Sequence, residues 1–441
     1  MRILSAFLKR TLYTNVFPIL IIACLFLMLF YGSQETKTNN FKSESLYIDS
    51  VDEIIDPKFH TDLVTLYYQR RKTWSTSNLG SYLYKNYPID AISPAGSQRN
   101  TTFLVLIWKH WEWLKNRHIY SFDKNRPLDP LEDCSVKNCK FTGDDEKLLL
   151  ADAVIVHVLK GLFPNTTTRN LTQRWIFLND ESPQNAFYAA VNKPKLKDLS
   201  NMFNWSMTYR SDSDVPVPYG RTVPLKKAIL NQITYESLAS LVPYWENKRK
   251  DVLASILMSH CGVPRRTEYL QKLQEYLTVD VYGKCSKNNK NSCPGHFRSD
   301  CNLVSKYLFY LVFENTQCHE YMTEKLFYNA YSKGAIPVIM GPSIDCCEGL
   351  LPPDSFLHID NYDNPQQLAE HMVEISEDLK KILRFHRWRN DFEVKNEHGY
   401  FGTRSYHLCR ICEALNYNDQ AVKYYDEEDL RIFFDPTLSC R

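Results

Sequence analysis

The segment Phe313-Glu-Asn-Thr-Gln-Cys-His-Glu-Tyr-Met-Thr-Glu-Lys-Leu326 leaves an apolar run and enters a helical pattern, placing Glu324 and Lys325 in a first helical turn. A lysine beside the free N–H groups of a helix N-terminus is unfavourable by itself. It becomes reasonable where it neutralises a phosphate gathered by those same groups. Glu324 would then accept hydrogen bonds from sugar hydroxyls, although a Glu-Lys pair also fits an ordinary charged surface. A second carboxylate, Glu181 in Asn179-Asp-Glu-Ser-Pro183, follows the apolar run Trp175-Ile-Phe-Leu178 directly. It could take a proton from a hydroxyl or merely cap a helix. Asp212-Ser-Asp214 has the D-x-D spacing that suits a hard divalent cation, and capping or hydrogen bonding would serve it equally. Cys409-x-x-Cys412 fits a redox pair or half a zinc site, but no Cys/His cluster of zinc spacing accompanies it.

The elements that must position these residues read as alternating strands and helices. Thr102–Trp108, Ala153–Val156 and Trp175–Leu178 are continuous apolar runs, as expected of strands buried on both faces. Two β-α-β units follow. In the first, strand Val252–Met258 leads through Ser259-His260-Cys261-Gly262 to Pro264, where a helix can start, and then to strand Val279–Tyr282. In the second, strand Tyr307–Phe313 leads to helix Thr323–Lys333, stopped by Gly334, and strand Ala335–Met340. The pattern predicts two Rossmann-like α/β halves. Neither carries G-x-G-x-x-G or G-x-x-x-x-G-K-S/T, so dinucleotide and P-loop chemistry lose their usual support. Ligands are expected beyond the carboxyl ends of the strands.

With 441 residues, 44% of them hydrophobic, the chain can bury two cores. Lys plus Arg number 53 against 51 Asp plus Glu, a balance that excludes a nucleic-acid footprint. Thr11–Tyr31 carries no charge and follows Arg2, Lys9 and Arg10. The expected organisation is a cytoplasmic tail at 1–10, a transmembrane signal anchor at 11–31 and a stem at 32–98 with a helical turn around Asp62–Tyr68. An N-terminal α/β domain at 99–245, a C-terminal domain at 246–412 and a tail at 413–441 complete it. A cleaved signal peptide is the competing reading, disfavoured by the bulky Phe30-Tyr31 at the exit. Sequons at Asn100, Asn165, Asn170 and Asn204, and twelve cysteines beyond the span, agree with a lumenal body.

Phe-Glu-Asn, Tyr-Met-Thr-Glu-Lys, Gly-Ala-Ile-Pro-Val and Gly-Pro between Phe309 and Pro342 closely resemble the signature of the α-1,3/4-fucosyltransferases, glycosyltransferase family 10. Pro353–Asp360, Cys139–Thr142, Ala151–His157, Asn179–Pro183, Phe203–Asp214, Pro218–Gly220 and Cys409–Cys412 continue the likeness in the family's order, with a C-terminal segment somewhat like invertebrate members. The resemblance implies a GT-B architecture, two Rossmann-like domains facing a cleft, in a single-pass type II protein of the Golgi membrane with its catalytic domain lumenal. It implies inverting transfer of L-fucose from GDP-β-L-fucose to a GlcNAc 3-hydroxyl of a glycoprotein glycan. The N-glycan core is the expected acceptor and lactosamine-type antennae the alternative. Glu181 matches the proposed base. Arg266 and Lys325 match the cations on the donor diphosphate, with Arg265 the alternative to Arg266. Asn315, Tyr321 and Glu324 match other donor contacts, and Tyr209 and Arg210 lie in the family's Tyr-Arg stretch. No metal is implied as required, with stimulation by Mn²⁺ left open. Cys134 and Cys139 are the implied disulfide partners of Cys409 and Cys412. Cys285 is expected to pair locally with Cys293 or Cys301. His260 stands where many relatives have Asn, which motivates a rival reading as a GDP- or glycan-binding pseudoenzyme. His157 reads as a structural strand-end residue.

Overall fold

The apolar runs become inner strands of two parallel sheets in the computed structural model, which describes residues 53–54, 57–85, 101–120, 128–165, 167, 169–288, 292–293 and 300–441. The expected tail, the 11–31 span and the sequon at Asn100 lie outside the described residues. No described helix is long and apolar enough to cross a membrane.

The first sheet runs Cys139–Thr142, Phe103–Trp108, Ala153–His157, Arg174–Asn179, Trp205–Thr208, Val215–Pro216, all parallel. The second runs Val279–Tyr282, Ala254–Leu257, Phe309–Phe313, Ile336–Met340, Leu357–His358, again all parallel. Ala153–His157, Arg174–Asn179, Phe309–Phe313 and Ile336–Met340 are buried along their whole length, because both faces of each sheet are covered. Pro264 opens helix Pro264–Leu273, which turns Leu270 and Leu273 onto the second sheet. The expected helix after Thr323 begins as a π-helical stretch, Lys325–Ala330, and finishes as the 3₁₀ turn Tyr331–Lys333. Gly334 stops it at a φ of 66°.

Two of the expected boundaries move. The segment assigned to the stem contains helices Pro57–Gln69 and Asn78–Tyr84, and both belong to the body. His60, Leu63, Val64, Tyr67, Tyr68 and Arg71 are buried at helical spacing. The Tyr67 hydroxyl donates to the Leu350 carbonyl at 3.0 Å, and Arg71 Nε donates to the Gly349 carbonyl at 2.9 Å. The C-terminal segment is no tail either. Helix His407–Tyr417 packs Leu408, Ile411 and Leu415 with Val105, Ile107, Ile155 and Ile176 on one face of the first sheet. Helix Glu427–Phe434 sets Leu430, Phe433 and Phe434 with Val154, Trp175 and Phe177 on the other. Strand residues of alternate parity point to opposite faces, so the last part of the chain closes both sides of the sheet formed by the first.

Five disulfides join ten of the twelve described cysteines and leave Cys346 and Cys347 free. Cys134–Cys409 and Cys139–Cys412 pin the late helix to the first sheet. Cys285 pairs with Cys261 instead of Cys293 or Cys301, and those two pair with each other. Cys318–Cys440 was not expected and ties the chain's last residues to the loop after Phe313. An antiparallel ladder, Gly220–Pro224 with Phe392–Asn396, links the two halves.

The three described sequons differ. Asn165 and Asn170 are exposed, and each Oδ1 accepts from the backbone N–H and hydroxyl of the Thr two residues on. Asn204 is buried. Its carboxamide accepts from Trp175 N at 2.9 Å and donates to the Lys423 carbonyl at 2.8 Å. Asn204→Gln, one methylene too long for both partners, is expected to cost about 1–3 kcal/mol, read as a lowered chemical-denaturation midpoint.

Candidate active site

Parallel strands deliver their carboxyl ends to one edge of each sheet, and the residues singled out from the sequence stand at those ends. Glu181 follows Arg174–Asn179, and Tyr209 and Arg210 follow Trp205–Thr208. His260 lies in the loop after Ala254–Leu257, and Glu314 and Asn315 come directly after Phe309–Phe313.

Glu181 is braced by Asn179, whose side chain accepts from Glu181 N at 3.3 Å and donates to the Glu181 carbonyl at 3.0 Å. Its carboxylate accepts from the Tyr321 hydroxyl at 3.0 Å, a contact that reaches across from the loop of the second sheet. Burial, and then the neighbouring Asp180 charge, push the Glu181 carboxyl up to about 7, against the Tyr321 hydrogen bond and the Lys325 charge. A carboxylate so tuned is about half ionised at pH 7 and, once ionised, basic enough to take a hydroxyl proton.

Lys325 is not a surface charge. Its Nζ lies 2.9 Å from Glu314 Oε2, 2.9 Å from Thr323 Oγ1 and 3.5 Å from Glu324 Oε1. Burial works against its positive charge, but Glu314 and Glu324 outweigh that and hold its pKa above the ordinary lysine value. Arg266, 3% exposed, points inward from the first turn of its helix while Arg265 is exposed, so the open choice between them falls to Arg266. Its Nη1 donates to the Phe313 carbonyl at 3.2 Å and its Nη2 to the His260 carbonyl, while its buried Nε has no partner. Burial lowers its pKa, and Glu314 counteracts this. Two cations that repel each other thus flank the single buried carboxylate of Glu314. An anion that displaces the long Glu324 contact and meets the orphaned Arg266 N–H would relieve both. Asn315 Oδ1 and Thr316 Oγ1, also buried and without partners, line the same loop.

Tyr321 meets Tyr209 edge-to-face, ring centroids 5.0 Å apart, and the Tyr209 hydroxyl is buried without a partner. Arg210 turns away from this group. It is bidentate to Asp212, at 2.8 and 2.6 Å, and lies over the Phe433 ring. Asp214 accepts from Ser206 and Tyr425 and pairs with Lys423. The D-x-D carboxylates therefore have separate partners, and their side chains do not converge on one point. The His260 side chain is exposed, and only its carbonyl meets Arg266. The loop itself is clamped by Glu320, whose carboxylate accepts from Ser211 N and Oγ at 2.5 and 2.6 Å.

Two family models match the chain: "Fucosyltransferase, N-terminal" over residues 100–220 and "Glycosyltransferase family 10 (fucosyltransferase) C-term" over residues 245–429. Among curated proteins, the 4-galactosyl-N-acetylglucosaminide 3-alpha-L-fucosyltransferase FUT6 of Homo sapiens is 32% identical over 311 residues, 68% of this chain and 77% of that one. The chain belongs to glycosyltransferase family 10, the α-1,3-fucosyltransferase family. The 3-galactosyl-N-acetylglucosaminide 4-alpha-L-fucosyltransferase FUT3 of Pan troglodytes is 33% identical to this fucosyltransferase over 316 residues, 69% of this chain and 76% of that one. A crystal structure of an alpha1,3-fucosyltransferase with GDP-fucose matches at a TM-score of 0.44 and 16% identity, over 80% of this chain and 98% of that one.

Several residues around the site had no role assigned from the fucosyltransferase sequence. Glu314 stands in the Phe-Glu-Asn run at a strand end, a visible signal, but its pairing with Lys325 depends on the loop folding back. Asp180 precedes Glu181 and is buried against Arg117 at 2.7 Å, with His157 and His398 nearby. Arg117 and His398 are 281 residues apart, and no local pattern announces their meeting. Asp180, His398 and His407 bring potential ligand atoms within 4.8 Å of one another. The Arg117 guanidinium already occupies the Asp180 carboxylate, so a dication there would face a buried positive charge.

Proposed function

We propose that this fucosyltransferase transfers L-fucose from GDP-β-L-fucose to the 3-hydroxyl of a GlcNAc residue with inversion, in a GT-B cleft between its two halves. The observation that carries the reading is the Tyr321–Glu181 hydrogen bond, which brings the candidate base to the same place as the Lys325–Glu314–Arg266 group. The acceptor oxygen attacks the anomeric carbon and its proton passes to the Glu181 carboxylate. The bond from that carbon to the β-phosphate oxygen breaks, leaving its electron pair on GDP. Lys325 and Arg266 stabilise the charge developing on that phosphate, the service a divalent ion performs in other transferases. Asn315, Tyr321 and Glu324 bind the donor, and Tyr209 packs behind Tyr321. Arg210 we assign to holding the loop through Asp212. Lys325→Met is expected to lower kcat/KM for GDP-fucose by roughly 10²-fold or more, measured at saturating acceptor.

For the acceptor class, the names of the relatives serve as support. The activity named for the human relative, on a 4-galactosyl-N-acetylglucosaminide, supports the lactosamine-type antenna ahead of the N-glycan core. Offering both acceptors with GDP-fucose and locating the added deoxyhexose by mass spectrometry decides between them. Addition to the innermost GlcNAc alone would reverse the order, and GDP binding without transfer to either would favour a pseudoenzyme. Five disulfides and two exposed sequons support a lumenal body behind an N-terminal Golgi anchor. Retention of transfer in excess chelator, with at most modest stimulation by Mn²⁺, is expected if the two cations replace a metal.

A further inference from the structure

Immediately before the candidate base lies a second buried carboxylate, held in an ion pair. Asp180 is 6% exposed, and its Oδ2 accepts from Arg117 Nη1 at 2.7 Å. His398 Nε2 lies 3.3 Å from the same oxygen, and His157 Nε2 lies 3.5 Å from Oδ1. The Asp180 carbonyl accepts from the Tyr219 hydroxyl at 2.8 Å. These partners come from four separate segments. Arg117 ends helix Trp111–His118, His157 ends its strand, Tyr219 precedes strand Gly220–Pro224, and His398 follows strand Phe392–Asn396. They also hold one another. Arg117 Nε donates to the His398 carbonyl at 3.1 Å, and the His398 ring stacks on Tyr219 at 3.8 Å.

The charges in this cluster are sharply divided. Burial, together with the nearby Arg117 charge, keeps the His398 imidazole at about 4, and burial holds His118 and His407 well below the ordinary value. These rings are neutral at physiological pH. Burial alone would raise the Asp180 pKa, but the Arg117 charge, joined by His157 and His398, holds it well below the usual carboxylate range. An ionised carboxylate thus stands one peptide from Glu181, its side chain held by Arg117 and its backbone carbonyl by Tyr219.

We propose that Asp180 is a positioning residue of the transfer reaction: ion-paired with Arg117 and flanked by His157 and His398, it fixes the peptide that carries Glu181 and keeps a negative charge beside that carboxylate. This rests on Glu181 being the base. The other groups that act on Glu181 are Tyr321, Lys325 and Glu324 from the second half, with Tyr219 and Tyr400 closing the remaining side. Asp180 and Glu324 are the negative groups among them, and Asp180 is the one that stands on the same loop as Glu181, held there by its ion pair with Arg117. Its contribution is separable because Asn has the same shape and can still accept from Arg117.

The test compares wild type, Asp180→Asn and Glu181→Gln in the full-length protein, with kcat/KM followed across pH and KM for GDP-fucose measured beside it. Asp180→Asn is expected to move the acidic limb of the profile down by about one pH unit and to lower kcat about tenfold. KM for GDP-fucose should stay within about twofold. A purely structural Asp180 would change yield or stability and leave the limb where it is, and that result overturns the proposal. Should the single variant fail to fold because Arg117 is left without its counter-charge, Arg117→Gln/Asp180→Asn removes both charges and reads the same limb, again expected to lie lower. If Glu181→Gln transfers fucose normally, the base assignment falls first and this proposal with it. An inactive Glu181→Gln beside an unshifted Asp180→Asn sinks only the proposal.

Discussion

Glu181→Gln is expected to lower kcat for fucose transfer by about 10²–10⁴-fold while GDP affinity stays within about twofold. The amide keeps the shape of the carboxylate and can still accept from Tyr321, so the donor loop retains its anchor. It cannot take up the acceptor proton. A second signature separates this from structural damage. The folded protein raises the Glu181 pKa from 4.5 to about 7, so the fold favours the protonated carboxyl. That stabilisation is complete below about pH 4.5 and is lost as pH rises through about 7. At pH 8 the native enzyme holds an ionised, buried carboxylate at a cost of roughly 3 kcal/mol. Glu181→Gln should therefore be more stable than wild type at pH 8 and indistinguishable near pH 4.5, by thermal melting. The catalytic profile runs the opposite way, with kcat/KM rising with pH through about 7 as the base ionises. A variant that is inactive and also destabilised at pH 8 would mark Glu181 as a structural residue.

Glu397→Gln is expected to cost about 3–5 kcal/mol of stability, the largest loss foreseen for a single side chain away from the site. Glu397 is 2% exposed and lies between two guanidinium groups, Arg221 at 2.7 and 2.9 Å and Arg410 at 2.9 Å. Burial alone would raise its pKa, but the two arginines outweigh that and hold it down to about 2. Arg410 retains Glu413 at 2.7 Å when Glu397 is neutralised, whereas Arg221 keeps only the Leu83 carbonyl. The sign with pH is opposite to that of Glu181. The contribution of Glu397 is present above about pH 4.5 and disappears as pH falls toward 2. Denaturant titrations should show the wild type losing this increment on acidification while Glu397→Gln, already lacking it, loses less.

The inner strands were legible because continuous apolar runs have few other destinations, and Pro264 marked the helix that carries Arg266. Trp205-Ser-Met-Thr208 was not read as a strand, since half of its residues are polar and are satisfied only when Ser213 and Asp214 fold back from the following loop. Of the helix Pro57–Gln69 only a turn around Asp62–Tyr68 was legible, for a related reason: its buried stripe uses His60, Tyr67 and Tyr68 beside Leu63 and Val64. Tyrosines and a histidine count weakly as apolar until the Leu350 carbonyl and Asp391 are seen to satisfy them. At the site, the family motif brought out Glu181, Arg266, Tyr321 and Lys325. It gave no reason to separate Tyr209, which packs on Tyr321, from Arg210, which Asp212 holds elsewhere. Disulfide pairing is not contained in spacing, and Cys261–Cys285 needed the fold of the loop between them.

The covering of the first sheet by helices His407–Tyr417 and Glu427–Phe434 bears on how the protein is made. A ribosome releases Val105 and Phe177 long before the side chains that shelter them. The early half must wait, partly collapsed and wet on both faces, while nearly the whole polypeptide emerges. Native oxidation of Cys134 and Cys139, which needs Cys409 and Cys412, is then a late event by necessity, and chaperones must cover the interval. Cutting the gene between the two α/β layers would consequently yield an N-terminal fragment prone to aggregate, and supplying 400–441 as a separate peptide should rescue it better than any solubilising fusion.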